Sequence, residues 1–198
     1  MRYASEDLRE EHEGILAGLD ILERMADMPS GDSAPGSAEL AEMLDFFRLF
    51  ADNCHHGKEE AMYFPALRDA GVDEGIHDLL REHQEGRDRI SRMDAALAQG
   101  EAGRGGFAQT AHEYAHTLRH HIRDEDTRVF PEGDRALPPD AQADLLERFA
   151  RFEEEVIGGG THERLHAMLD RFQQKFGKEG HAGHGHDAHS HGTHHPHA

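Results

Sequence analysis

The chain has 198 residues, the size of one domain with a short extension. Its 40 Asp and Glu against 21 Lys and Arg give a formal net charge of −19, which argues against binding to nucleic acid or to anionic membrane surfaces. No apolar run approaches the length of a membrane-spanning helix, and the single cysteine excludes an intrachain disulfide framework. Because the first residues also lack an apolar leader segment, we expect a soluble cytoplasmic protein.

Apolar residues recur at helical spacing along most of the chain, and no stretch alternates with the period of two that marks a strand. The sequence therefore predicts an all-α protein, with Ser37 and Thr161 as helix caps. Four long helices with short connections favour an up-down-up-down four-helix bundle over residues 1–135, with one or two further helices packed on it over 136–177. The predicted helices cover about 5–28, 38–65, 76–97 and 107–131, a fifth that opens at 138–140 and runs to about 156, and a last one from Thr161 as its cap to about 176.

Histidine is unusually abundant, with 19 in the chain. Eight of these alternate with small residues near the C-terminus, so residues 178–198 cannot build a core and are predicted to be a disordered tail. Flexible imidazoles of this kind can bind divalent metals such as nickel, zinc or iron with modest selectivity. The tail histidines are His181, His184, His186, His189, His191, His194, His195 and His197.

A segment that combines histidine with acidic residues occurs twice. HHGKEE at 55–60 is followed by Phe64-Pro65, and HHIRDE at 120–125 is followed by Phe130-Pro131. The preceding helix carries a histidine in each case, at position 12 or 83, so the chain contains two copies of a helix pair.

Helical phase indicates which of these side chains face the interior. His55 and Glu59 continue the apolar face of the second helix, and His121 and Glu125 continue that of the fourth. Their neighbours His56 and Glu60 are turned by about 100° and are expected to lie away from the interior, on a solvated face. The histidines of the first and third helices fall among apolar residues and are also predicted to point inward.

A single inward histidine is often only a hydrogen-bonded core residue, but carboxylates buried beside several histidines need a compensating charge. Six such groups exceed the four ligands of a structural zinc ion, and mixed imidazole and carboxylate ligands favour iron or manganese. The pattern therefore predicts two metal ions. The predicted ligands are His12, His55, Glu59, His83, His121 and Glu125.

The order H…HxxxE…H…HxxxE, over roughly residues 5–131, resembles that of the hemerythrin-like HHE cation-binding domain. The flanking words HHGKEEAMYFPAL and YAHTLRHHIRDEDTRVFP resemble the family too. The resemblance implies a four-helix bundle with a non-haem di-iron centre, bridged by oxo or hydroxo beside the two glutamates. It also implies small ligands such as dioxygen or nitric oxide.

One departure from the family concerns the third helix. Oxygen-carrying hemerythrins have a second histidine four positions after the first, where this chain has Arg87. The resemblance thus implies an open or water-filled position on one iron. His162 can supply the missing imidazole, and the Tyr114 hydroxyl can reach a bound ligand, although ordinary packing roles are the alternative for both.

Three functions remain open from the sequence. The first is reversible binding or sensing of dioxygen or nitric oxide. The second is an enzyme, either an oxidase, a peroxidase or a nitric-oxide-consuming centre, or an iron donor in the repair of iron centres. The third is metal storage or delivery that depends on the tail. The sequence does not identify a protein partner.

Overall fold

The computed structural model describes residues 2–177, except for the side chain of His162, and this part of the chain is helical apart from short connections, with no strand. The predicted disorder of the tail lies outside the described residues. None of the helices in 2–177 has both the length and the hydropathy that crossing a bilayer requires. The α-helices are α1 Ala4–Asp27, α2 Ser37–Phe46, α3 Phe64–Asp69, α4 Ile76–Leu97, α5 Arg104–Asp124, α6 Phe130–Ala136, α7 Pro139–Val156 and α8 Thr161–Phe176.

Two of the predicted long helices change their winding along their length. Helix α2 continues without interruption through π-helical segments at Phe47–His56 and Glu59–Tyr63 into α3. Helix α5 continues in the same way through a π-helical segment at Glu125–Val129 into α6. Both copies of the repeat therefore place a five-residue π-helical segment directly before Phe-Pro, and the repeat in the sequence is also a repeat in backbone conformation. A short 3₁₀ turn, Gly100–Gly103, precedes α5.

Helices α1, α2, α4 and α5 pack against one another in a helical bundle. Its apolar interior is divided into two clusters. One surrounds Leu19 and Phe47, and the other surrounds Leu8 and Phe130. In each long helix the predicted metal ligands lie between residues of one cluster and residues of the other. A polar layer therefore separates the two apolar clusters. The up-down-up-down order of helix directions stays a prediction.

The two C-terminal helices cover the bundle with their apolar faces. Leu145 and Phe149 of α7 belong to the cluster around Leu8, and Met168 and Phe172 of α8 belong to the cluster around Leu19. Each such side chain contributes about 1.5–3 kcal/mol when it is fully buried. Burial therefore holds both helices against the bundle.

The predicted helix caps are wrong by one residue. Ser37 and Thr161 are the first residues of α2 and α8, and glycines occupy the cap positions before them. At Gly36 the backbone N–H donates to the carboxylate of Glu39 at 3.1 Å. Gly160 has φ +77, a left-handed conformation that a side chain at this position would disfavour.

Candidate metal centre

The structure brings the six predicted ligands together in one buried layer, and His56 joins them. None of the seven side chains belongs to a residue more than 4% exposed. Four helices of the bundle, counted with their π-helical continuations, contribute side chains to the layer. The layer therefore forms only when the bundle is assembled. Its members are His12, His55, His56, Glu59, His83, His121 and Glu125.

Four of the five histidines are held at Nδ1 by a carboxylate from a neighbouring helix. The Nδ1···O distances are 2.8–3.0 Å, so Nδ1–H donates to the carboxylate and the Nε2 atoms face Glu59 and Glu125. Nε2 is without a hydrogen-bond partner in His12 and His55, whereas Nε2 of His83 and Nε2 of His121 lie 3.1 Å apart. The carboxylates follow the repeat, because they lie either directly before a layer histidine or directly after a layer glutamate. The pairs are His12 with Asp126, His55 with Glu11, His83 with Glu60, and His121 with Glu82.

The two buried glutamates each face histidines from both halves of the repeat. Glu59 has Oε1 at 3.6 Å from Nε2 of His55 and Oε2 at 3.4 Å from Nε2 of His83. Glu125 has Oε2 at 3.4 Å from Nε2 of His12 and at 3.3 Å from Nε2 of His121. Each carboxylate therefore lies between a histidine of the first half of the repeat and a histidine of the second half.

These side chains form two overlapping sets of potential metal ligands. Within each set, one ligand atom from every member lies within 4.8 Å of the others. Glu59 belongs to both sets, which is the arrangement expected of a carboxylate shared by two cations. The first set is His12, His55, Glu59 and Glu125, and the second is His56, Glu59, His83 and His121.

Most of the inward-facing donor atoms lack a hydrogen-bond partner. Nε2 of His12, Nε2 of His55 and both carboxylate oxygens of Glu59 and Glu125 are buried without one, as are both ring nitrogens of His56. Unpartnered polar atoms in a core are costly and uncommon. Bound cations would supply the missing partners, and imidazole with carboxylate is a donor set that suits iron.

The comparison with known sequences agrees with this geometry. The family model described as Hemerythrin HHE cation binding domain matches residues 3–132. The chain belongs to this family. The resemblance indicated by the ligand pattern is thereby confirmed, and the matched range contains all seven side chains of the layer.

This hemerythrin HHE chain has curated relatives in mycobacteria. Uncharacterized proteins of Mycobacterium tuberculosis and Mycobacterium bovis are 35% identical to it over 135 residues. The match covers 65% of this chain and 52% of each relative, so the chain spans about half the length of the curated relatives it matches. No solved structure matches the chain.

The buried carboxylates and imidazoles of the hemerythrin HHE layer shift one another's pKa values. Burial raises the pKa of Glu59 well above its ordinary value, and the nearby charge of Glu125 raises it further. Burial would also raise the pKa of Glu125, but the adjacent His121 holds it well below the ordinary range. Burial alone would lower the pKa of His121, whereas Glu125 raises it to about 9. Without metal, protons on these groups compensate charge that a cation would otherwise neutralise.

The predicted position of His56 on a solvated face is wrong. His56 is 4% exposed, and its ring stacks on that of His83 with centroids 3.8 Å apart. The phase argument assumed 3.6 residues per turn, whereas Phe47–His56 is π-helical and has wider turns. His55 consequently faces the α1 side of the layer while His56 faces the α4 side. Glu60 lies at the edge of the layer, where it accepts the hydrogen bond from His83.

The three accessory candidates have different outcomes. Arg87 does not point at the donor atoms, because its guanidinium bonds Asp52 at 2.8 Å and Glu60 at 2.6 Å. Tyr114 is buried, and its ring lies edge-on against Phe47. His162 lies within α8, but the role predicted for its side chain falls outside the described residues, as does that of the tail histidines.

A buried lysine is the main feature that the sequence did not indicate. Lys58 is 1% exposed and lies between three carboxylates, at 2.7 Å from Glu11 and at 3.2 Å from Asp7 and from Glu153. Burial alone would lower the pKa of Lys58, but the carboxylates of Glu11 and Asp7 raise it above the ordinary value. Since Glu11 also holds His55, Lys58 links α7 to the ligand layer.

Proposed function

We propose that the chain holds a di-iron centre and uses it to bind or sense a small diatomic ligand, dioxygen or nitric oxide. The observation that carries the proposal is the sharing of Glu59 by two buried ligand sets. A single cation would leave one of these sets without a charge partner. Two iron ions would neutralise both carboxylates and engage the inward nitrogen atoms.

The surrounding residues favour a small ligand. The layer lies between two apolar clusters, and Phe130 stacks on His12 with centroids 5.5 Å apart, which keeps bulk water away from that end. A cavity of about 150 Å³ approaches from the α4 side and is bordered by His56 and His83. This space admits a diatomic molecule but not a metabolite of ordinary size, since ligand pockets usually measure about 300–1,000 Å³.

Bound iron would supply open coordination positions for dioxygen or nitric oxide and, for dioxygen, the electrons that its reduction on binding requires. The protein contributes fixed donor orientation, because four carboxylates hold four of the imidazoles by their Nδ1 atoms. It also contributes burial, which keeps competing water and larger ligands from the layer. These are properties of a binding site as well as of an enzyme.

Absorption spectroscopy of the iron-loaded protein tests the proposal. The reduced protein, prepared without oxygen, is exposed to dioxygen and then placed under vacuum, and a parallel sample is exposed to nitric oxide. We expect a visible charge-transfer band that appears with the ligand and disappears when the ligand is removed. Irreversible oxidation with continued turnover would instead support an oxidase or peroxidase. The absence of any ligand-dependent band would contradict both functions.

A further inference from the structure

The cavity beside the metal layer reaches only one of its two halves. Its lining includes His56 and His83, together with Gly86, Arg87 and Tyr114. A second, much smaller space of about 10 Å³ touches the same half, and neither space is lined by His12 or His55. A ligand that enters through this cavity therefore approaches the second ligand set, which contains His56, His83 and His121. The potential metal ligands of this set already surround the position that the ligand would reach.

His56 is held less firmly than the other layer histidines. Its Nδ1 lies 3.5 Å from Asp52, too far for a good hydrogen bond, whereas the other four rings have a carboxylate within 3.0 Å. Asp52 is engaged instead by Nε of Arg87 at 2.8 Å. Both ring nitrogens of His56 are consequently without a hydrogen-bond partner.

The ring of His56 also has space into which it can move. It forms part of the wall of the 150 Å³ cavity, which is large compared with the roughly 10–15 Å³ of probe volume that one water occupies. His83 has no such freedom, because Glu60 anchors its Nδ1 at 2.8 Å. Glu60 therefore anchors the ring of His83, whereas no carboxylate of the described residues anchors the ring of His56, although each ring can offer one nitrogen to the same cation.

We propose that His56 is an exchangeable ligand of the metal centre and that a small neutral molecule from the cavity takes its place. In the exchange, the bond between the metal and one ring nitrogen of His56 would break, the imidazole would keep its lone pair and turn into the cavity, and the incoming molecule would donate an electron pair to the vacated position. No electron transfer or proton transfer is required. The inference rests on the proposed function, since it needs a loaded centre.

The residues that line the cavity provide no attraction of their own for an anion. Two arginines line it, but each is neutralised by two carboxylates. Arg87 bonds Asp52 and Glu60, and Arg48 bonds Asp45 at 2.6 Å and also Asp94. No uncompensated positive charge among these lining residues is therefore available to attract an anion.

Stopped-flow binding of nitric oxide to the reduced iron protein tests the exchange. If His56 must leave first, the observed rate rises with nitric oxide concentration and then reaches a plateau set by the rate of departure. In His56→Ala the plateau should disappear and the rate should stay proportional to concentration. A linear dependence in the unmodified protein, or a plateau that persists in His56→Ala, would overturn the proposal.

A substitution that fills the cavity tests the route of access. Gly86 borders the cavity, and a Cβ there would lie 3.6 Å from Tyr114, so Gly86→Leu extends into the open space. We expect this variant to slow binding at low nitric oxide concentration by about tenfold. The matched control is Gly105→Leu, because Gly105 is an exposed helical glycine with nothing within 4 Å of an added Cβ. Equal rates in the two variants would contradict access through this cavity.

Nuclear magnetic resonance of the zinc-loaded protein gives a readout that involves no redox chemistry. Relaxation dispersion should show microsecond-to-millisecond exchange at the His56 imidazole and not at His83. Equal dispersion at both rings, or none at either, would contradict selective exchange. Metal content is measured first: a protein that binds no metal refutes the di-iron function as well, whereas a fully loaded protein with a linear rate refutes only the role of His56.

Discussion

Replacement of Lys58 by methionine tests how the C-terminal helices support the metal layer. The substitution keeps the length of the side chain and removes its charge. Oε1 of Glu11, a residue that is 6% exposed, then loses its cationic partner, while Oε2 still accepts from His55. Loss of one partner from a buried ion pair costs about 3–5 kcal/mol. Lys58 also lies over the ring of Phe149 at 5.6 Å, a contact that methionine only partly replaces. We therefore expect the free energy of unfolding of Lys58→Met to fall by about 3–5 kcal/mol.

Urea denaturation of the metal-free protein, followed by circular dichroism, measures this change. The control is Glu153→Gln, which removes another partner of Lys58 whose side chain is 34% exposed, so the cost should be at most about 1 kcal/mol. Adding Glu11→Gln to Lys58→Met should recover part of the loss, because the unpaired charge is then gone. The reasoning is refuted if Lys58→Met costs no more than Glu153→Gln, or if the double variant recovers nothing.

Three further predictions concern packing, pH and metal. Gly18→Ala would place a Cβ 2.6 Å from the Phe46 ring and should lower the free energy of unfolding, measured by urea denaturation, by about 1–3 kcal/mol. In the control Gly14→Ala the Cβ would lie 3.4 Å from Phe50, and the free energy of unfolding should rise by about 0.5 kcal/mol. Equal effects of the two substitutions would contradict the contact with Phe46. Hydrogen bonds to Asp27 and Glu23 raise the pKa of His112. Its contribution to stability is therefore complete below pH 6.5 and is lost as the pH rises through the folded-state pKa. Nuclear magnetic resonance of His112 checks this: a pKa at or below 6.5, or a pKa that is not lowered in Asp27→Asn, would contradict the prediction. Removal of metal should lower the melting temperature by about 10–20 °C, as expected for two sites that are each saturated at about 100 times the dissociation constant. An unchanged calorimetric transition would argue against a buried centre.

The helices and the six original ligand candidates could be predicted because both depend on local pattern. Apolar periodicity placed the helices, and the HxxxE spacing placed His55 with Glu59 and His121 with Glu125 on shared faces. His56 was misplaced because the sequence carries no clear signal for a π-helical turn. The layer therefore contains a fifth histidine that the phase argument placed elsewhere, His56, whose ring stacks on His83.

The environment of Lys58 was not predictable for a different reason. Within HHGKEE it has the composition of a solvated helix face, and its three partners come from α1 and α7, between 47 and 95 positions away. Their proximity depends on how α7 crosses the bundle, which periodicity does not determine. By contrast, the carboxylates that hold the histidines follow the repeat, so the pair Glu11 and Glu82 next to His12 and His83 was a usable signal.

Iron content per chain tests the central claim most directly. The protein is loaded with ferrous iron without oxygen, freed of excess metal and analysed by mass spectrometry beside Glu59→Gln and the control Glu13→Gln, whose glutamate is an exposed neighbour of His12 on α1. We predict two iron ions per chain in the unmodified protein and in Glu13→Gln, and fewer than one in Glu59→Gln, because Glu59 belongs to both ligand sets. One iron or none in the unmodified protein, or equal losses in the two variants, would contradict the account.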